Sequence, residues 1–197
     1  LDEEHLRAIV APELEFYLCE QNLDPDLPLK TPIGKSGRRE KGSRVFGIDA
    51  VNEFDDLTDD IYDYCEILKI GVDTLIHESG PSQIEINLNH GDPLQLADQA
   101  FMFKRAVRQV ALKHGIHATF MSKPYQGHPG SSMHIHQNII SKKTNKNLFS
   151  DENGNNTEEF FHFIGGLQTY LPDAMLFFAP YVNSYRRFVI DASAPIN

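Results

Sequence analysis

Gly130–Gln137 has the sequence GSSMHIHQ, in which a Gly/Ser turn precedes alternating polar and apolar residues. Such alternation is typical of a half-buried β-strand, whose successive side chains point to opposite faces. His134 and His136 would therefore share one face, opposite the apolar Met133. Two imidazoles on one face can reach a shared metal ion or a phosphate group. An ordinary exposed edge strand fits the same pattern, so this stretch alone leaves both interpretations open.

Carboxylates occupy one face of two further predicted strands. Ile9–Glu20 has the pattern of a buried strand after a short helical lead, with Glu13 and Glu15 on the same face. Gln83–Asn89 alternates cleanly and carries Glu85 on its polar face. Carboxylates in an apolar strand are costly to bury unless a cation compensates their charge. The alternative for each strand is simply one hydrated face.

The three strands together present a ligand set of carboxylates and imidazoles, and Glu78, seven residues before Glu85, extends it. Hard divalent cations such as Mg²⁺ or Mn²⁺ prefer such ligands. Five or more ligands exceed what one ion takes from a protein, so the set favours two ions. Two-ion sites neutralise phosphate charge and align the reactants of phosphoryl transfer. A metal-dependent hydrolase would use the same residue types.

The remaining patterns mix helices with strands. Helical spacing is predicted over Asn52–Gly71 and Pro93–His114, and a surface loop rich in Pro and Gly over Asp24–Gly47. Thr157 would cap a last long helix that ends at Pro172 and buries its aromatic residues in the core. We therefore predict an α+β fold, with one curved, mainly antiparallel sheet and helices on its outer face.

The composition restricts the class of protein. The chain has 197 residues, of which 41% are hydrophobic, and this suits one globular core. Its net charge of -10 argues against a nucleic-acid partner. No apolar run approaches the roughly 20 residues that a membrane helix needs. Cys19 and Cys65 are too few for a disulfide framework, so we expect reduced thiols and a cytoplasmic location.

Four motifs resemble, in order, the successive signatures of the catalytic domain of the glutamine synthetase family. They span most of the chain and are Pro12–Phe16 (PELEF), His77–Glu78 leading to Gln83–Glu85, Gly130–His136 (GSSMHIH) and Asn183–Arg187 (NSYRR). The resemblance implies a ligase that uses ATP to phosphorylate the γ-carboxylate of glutamate, after which ammonia or an organic amine attacks the γ-glutamyl phosphate. It also implies Mg²⁺ or Mn²⁺, two ions per site, and a homo-oligomeric ring for the full-length protein.

The resemblance assigns the metal ligands residue by residue. Glu15, Glu78 and Glu85 would hold one ion. Glu13 and His134 would hold the second ion, between the ATP phosphates. The family motifs alone imply this division, since the spacing of the residues does not say which ligands share an ion.

Three further roles are implied in the same way. His136 would contact the nucleotide phosphates, and Gly130 would bind the glutamate substrate. Arg187 would be the catalytic residue and would bind the substrate carboxylate or the acyl phosphate. Arginine suits this role because its planar guanidinium can bind such groups through two parallel hydrogen bonds.

One departure from the family pattern concerns the amine. Ammonia-using members carry a glutamate just before the Ala-Pro that follows the arginine motif, where this chain has Ser193. Ile116–Met121 and Gly165–Leu167 also look like the branch that joins glutamate to polyamines or other amines. The resemblance therefore favours an organic amine acceptor, with an ammonia-using glutamine synthetase as the alternative.

We expect residues 1–197 to be a partial catalytic domain, without the family's N-terminal β-grasp domain and the C-terminal part of its catalytic domain. On that expectation, the polypeptide by itself would lack turnover. A non-catalytic structural relative is the alternative from another class of protein. It predicts eroded metal ligands, whereas the predicted carboxylates and His134 are all present.

Overall fold

The structure is a computed structural model that describes residue 1 and residues 3–190. Its strands and helices follow one another along the chain as β1 (Leu6–Glu20), α1 (Ile48–Asn52), α2 (Asp55–Ile67), β2 (Val72–His77), β3 (Gln83–Leu88), α3 (Pro93–Lys113), β4 (Ile116–Thr119), β5 (Met133–Ser141), α4 (Glu158–Phe178) and α5 (Val182–Tyr185). Among these residues, no helix has both the length and the apolar composition needed to cross a membrane.

The sheet is built around β1, whose 15 residues are long enough to pair with three other strands. β3 lies along one side of β1, and β2 lies outside β3. On the other side, β5 pairs with the first part of β1 and β4 with its last part. All of these pairings are antiparallel, which confirms the predicted α+β fold with a mainly antiparallel sheet.

The core lies between one face of this sheet and helices α2 and α3. Alternate residues of β1 and β3 supply the sheet side of the core, and these residues are almost fully buried: Leu14, Phe16, Leu18, Ile84, Ile86 and Leu88. The helices contribute apolar residues at helical spacing, chiefly Leu57, Ile61, Phe103, Val107 and Val110. Because the side chains of a strand alternate, the opposite face of β1 and β3 is left to polar residues.

Two predicted helix boundaries were wrong. The segment before Ile9 is not helical, because β1 already begins at Leu6 and pairs there with β5. The helix predicted over Asn52–Gly71 is the shorter α2, which begins at Asp55 and ends at Ile67, while Asn52 is the last residue of the separate helix α1. Asp55 begins α2, where its carboxylate suits the partial positive charge of a helix N-terminus.

The prediction that the last long helix ends at Pro172 and buries its aromatic residues in the core was also wrong. Thr157 caps α4 as predicted, but α4 continues through Pro172 to Phe178. A proline removes one helical hydrogen bond, and the carbonyl that loses it belongs to Gln168, which is exposed and can bind water instead. No described residue of α4 is buried; its aromatic contacts join Phe160 and Phe163 to Phe149.

The strand with the two histidines is also more exposed than predicted. Met133 is 45% exposed and Ile135 is 41% exposed, so the apolar face of β5 is not covered as a half-buried strand would be. Helix α3 packs on β1 and β4 and reaches the start of β5, where Lys104 Nζ lies 3.8 Å from Met133 Sδ. The alternation therefore predicted the correct side for the histidines, while the opposite side of β5 faces solvent.

Candidate metal and substrate site

The polar face of the sheet brings together residues that are distant in the sequence. In the register of the sheet, Glu15 lies opposite Glu85, and Glu13 lies opposite His134. Side chains directly opposite one another on antiparallel strands share a face and lie close together. The same face therefore carries the carboxylates of β1 and β3 and the imidazoles of β5.

Glu13, Glu85 and His134 form the tightest group. Their ligand atoms lie within 4.8 Å of one another, a separation that one cation can bridge. Glu85 is only 6% exposed. Burial, followed by repulsion from the neighbouring carboxylates Glu13, Glu15 and Glu78, raises the pKa of Glu85 to about 7. A carboxyl group that is hard to ionise because it is buried and because other carboxylates surround it is a group that a cation would stabilise.

Glu13 contacts both histidines of β5. His134 Nδ1 lies 2.9 Å from one oxygen of Glu13, and His136 Nε2 lies 2.5 Å from the other oxygen. Burial opposes ionisation of Glu13, but the hydrogen bonds with His136 and His134 outweigh it and lower the pKa of the carboxyl group. Glu13 is therefore held as a carboxylate in the absence of a cation.

Glu15 is held by the segment that leads into β5 and by the start of β3. Its Oε2 accepts from the backbone N–H of Ser132 at 3.0 Å and from the side-chain amide of Gln83 at 3.1 Å, and its Oε1 accepts from the Ser132 hydroxyl. These bonds fix the direction of a carboxylate that is 8% exposed.

Glu78 lies in the turn between β2 and β3 and accepts from the backbone N–H of Ser79 at 3.1 Å. The long loop before α1 supports this turn. Glu40 of that loop accepts from Ser82 N–H at 2.6 Å and contacts His77 Nε2 at 2.9 Å. His77 is 1% exposed, so the pair anchors the loop in the interior beside Glu78.

Gly130 and Arg187 are neighbours. A Cβ atom at Gly130 would lie 2.7 Å from Arg187 Nε and closer still to the carbonyl oxygen of Ser122, so only glycine fits there without displacement. The Asn183 side chain supports the Arg187 segment by accepting from Lys123 N–H at 2.7 Å and donating to the Lys123 carbonyl at 3.0 Å. Gly130 and Arg187, the two residues predicted to bind the glutamate substrate, therefore lie next to each other.

Three residues that organise this face have no role in the prediction from the sequence: Gln83, Glu40 and Asn183. Gln83 and Asn183 lie within the motifs that resemble the family signatures, so their position in those motifs could have indicated that they belong to the site. Glu40 lies in a loop without periodicity, and nothing in the sequence pairs it with His77. A cavity of about 420 Å³ between β4, Arg108 and Tyr181 contains none of the predicted metal ligands.

The donor set fits a divalent cation. Carboxylate oxygens with one imidazole nitrogen are ligands that Mn²⁺ and Mg²⁺ accept. Asn87, opposite Glu13 on β3, has a buried side-chain oxygen without a hydrogen-bond partner among the described residues, so it offers one more acceptor on this face. The division of the predicted ligands between two ions stays a prediction, as do the roles of His136, Gly130 and Arg187.

Known proteins match this chain along its whole length. Residues 1–197 match the family described as "Glutamine synthetase, catalytic domain". The chain therefore belongs to the glutamine synthetase catalytic-domain family, which is a family of ligases.

Two individual relatives and one solved structure give the degree of similarity. The chain is 40% identical over 192 residues to gamma-glutamylputrescine synthetase PuuA of Escherichia coli, covering 95% of this chain and 40% of that protein. It is 35% identical over 196 residues to a glutamine synthetase of Pyrococcus abyssi, covering 100% of this chain and 42% of that protein. The solved structure described as "Apo GmaS without ligand" matches 94% of this chain and 42% of its own, with a TM-score of 0.78 and 28% identity. This chain thus spans about two fifths of the length of the curated relatives it matches.

Proposed function

We propose that the full-length protein is an ATP-dependent ligase that joins the γ-carboxylate of glutamate to an organic amine through γ-glutamyl phosphate. The observation that carries the proposal is the proximity of Glu13, Glu85 and His134 on one sheet face, together with the Gly130–Arg187 contact. A cation-binding face beside an arginine suits a reaction in which a phosphoryl group moves to a carboxylate.

In this proposal the protein residues position the reactants. The carboxylates of Glu13, Glu15, Glu78 and Glu85 with His134 would hold Mg²⁺ or Mn²⁺, which would supply positive charge to the ATP phosphates. Arg187 orients the glutamate carboxylate or acyl phosphate, and its contact with Gly130 limits where that group can lie.

The choice of an organic amine is supported by two facts. The chain is 40% identical to a protein named as a gamma-glutamylputrescine synthetase. Ser193, which lies outside the described residues, stands where ammonia-using members carry a glutamate. The neutral serine removes one negative charge and leaves more room for a carbon chain. The competing candidate is an ammonia-using enzyme, which the 35% identity to the Pyrococcus protein favours.

The test is phosphate release by the full-length protein with glutamate and Mg-ATP, in parallel arms with ammonium, putrescine and a panel of monoamines. We expect turnover that prefers an organic amine, and loss of turnover in Arg187→Ala. Glu66→Gln, an exposed charge removal on α2, is the matched control. Preference for ammonium would instead identify a glutamine synthetase. No release in any arm, with Mn²⁺ still bound, would refute the ligase proposal in favour of a structural relative.

A further inference from the structure

Gln83 is the first residue of β3 and lies opposite Tyr17 on the polar face of the sheet. Its exposed fraction is 0%. A side-chain amide has two donors and an acceptor oxygen, and burying it is costly unless these are paired. The residues around Gln83 therefore have to supply hydrogen-bond partners for its side-chain amide.

All of the partners that the structure gives the Gln83 side chain belong to the candidate site. Nε2 donates to Glu15 Oε2 at 3.1 Å and to the carbonyl oxygen of Gly130 at 3.1 Å. Oε1 accepts from the backbone N–H of Gly80 at 2.9 Å, in the turn that begins with Glu78. One amide thus joins a predicted metal ligand, the predicted glutamate-binding segment and the turn that carries another predicted ligand.

We propose that Gln83 is a positioning residue that couples the cation-binding carboxylates to the Gly130 segment. This inference deepens the proposed function and rests on it. The amide fixes the orientation of Glu15, since it bonds the same oxygen as the Ser132 N–H. It also fixes the Gly130 carbonyl, and therefore the place at which Gly130 meets Arg187.

The chemistry of the position explains why an amide is needed. A carboxylate here would place a like charge against Glu15 and an acceptor against the Gly130 carbonyl. An apolar side chain of the same length would leave the Gly130 carbonyl and the Gly80 N–H without these partners, and unpaired buried groups are costly. Only an amide donates toward Glu15 and Gly130 while it accepts from Gly80.

The test uses Gln83→Met, which keeps the length of the side chain and removes its donors and acceptor. Hydrogen bonds that orient a metal ligand typically change metal affinity 10- to 100-fold, so we expect the Mn²⁺ dissociation constant from titration calorimetry to rise about tenfold. We also expect faster hydrogen exchange at the Gly80 amide. The matched control is Ile86→Val, which perturbs the opposite, core-facing side of β3. Both variants are titrated under conditions in which circular dichroism shows them folded.

The control separates positioning from general destabilisation. A merely structural role predicts that Gln83→Met and Ile86→Val bind Mn²⁺ equally well, and a Gln83→Met dissociation constant within twofold of wild type would overturn the proposal. In the full-length enzyme, the KM for glutamate should rise about tenfold in Gln83→Met, and an unchanged KM would also count against the coupling. If the full-length wild-type protein binds no Mn²⁺, the proposed function fails. The rate of hydrogen exchange at the Gly80 amide then tests separately whether the Gln83 side chain holds the turn between β2 and β3.

Discussion

Replacement of Glu85 by glutamine should stabilise the cation-free protein above neutral pH, although it removes a predicted metal ligand. Burial and the repulsion of three neighbouring carboxylates raise the pKa of Glu85 to about 7, from an ordinary value of 4.5. Each pH unit of that elevation corresponds to about 1.4 kcal/mol, so the ionised group costs about 3 kcal/mol before screening. The face opens to solvent, which screens such repulsion, and we expect about half of this value, roughly 1 to 2 kcal/mol.

The direction of the pH dependence follows from the raised pKa of Glu85. Below pH 4.5 the carboxyl group is protonated in both the folded and the unfolded chain, so it contributes no penalty. Between pH 4.5 and about 7 the unfolded chain releases this proton first, and the free energy of unfolding falls as the pH rises. Above about pH 7 the penalty is complete. Glu85→Gln removes this dependence because its amide does not ionise.

Thermal unfolding in the presence of a chelator at pH 5 and pH 8 measures the effect. One kcal/mol shifts the Tm of a chain of this size by about 2–4 °C, so Glu85→Gln should melt a few degrees above wild type at pH 8 and much closer to it at pH 5. Saturating Mn²⁺ should reverse the order at pH 8, because wild type gains more from the cation. Glu66→Gln controls for the loss of one charge. A Glu85→Gln protein that is less stable than wild type in chelator at pH 8 would refute the repulsion argument.

Three further substitutions test separate parts of the site. Gly130→Ala should abolish glutamate-dependent phosphate release by the full-length protein, because its Cβ would lie 2.7 Å from Arg187 Nε. Gln83 bonds both the Gly130 carbonyl and Glu15, so displacement of the Gly130 segment should also weaken Mn²⁺ binding, although no metal-ligating side chain is removed. Unchanged Mn²⁺ titration heats would contradict this coupling. Asn183→Ala should raise the KM for glutamate, because the Arg187 segment loses its support on Lys123, and a normal KM would be evidence against this support. Glu40→Ala should cost about 1–3 kcal/mol in urea unfolding because it leaves buried donors unpaired, and an unfolding free energy equal to that of wild type would contradict that anchor.

The alternation of single strands predicted the polar face of the sheet well. Two residues per period place Glu13 with Glu15, and His134 with His136, whatever the strands pair with. Placing Glu13 opposite His134 depends on the register between strands, and these two residues are 121 positions apart in the chain. The resemblance implies that Glu13 and His134 share an ion, while the register that places them opposite each other is seen only in the structure.

Burial could not be predicted in the same way. The aromatic residues of α4 have the spacing of a core helix, yet Phe161 is 60% exposed and Phe177 is 81% exposed. Periodicity shows that a helix has an apolar side, but whether another element covers that side depends on tertiary packing. The Glu40–His77 pair could not be predicted for a related reason, because a loop has no period that would indicate which side chain turns inward.

The two faces of the sheet make opposite contributions to stability. The face with Phe16 and Ile84 is buried against helices and favours folding, whereas the face with Glu85 concentrates negative charge that opposes it. A cation that binds only the folded face relieves the repulsion and adds its binding free energy to the stability of the fold. Without a cation the polar face should therefore loosen first, and the amide of Gln83, together with Ser132, would be what holds Glu15 beside the Gly130 segment.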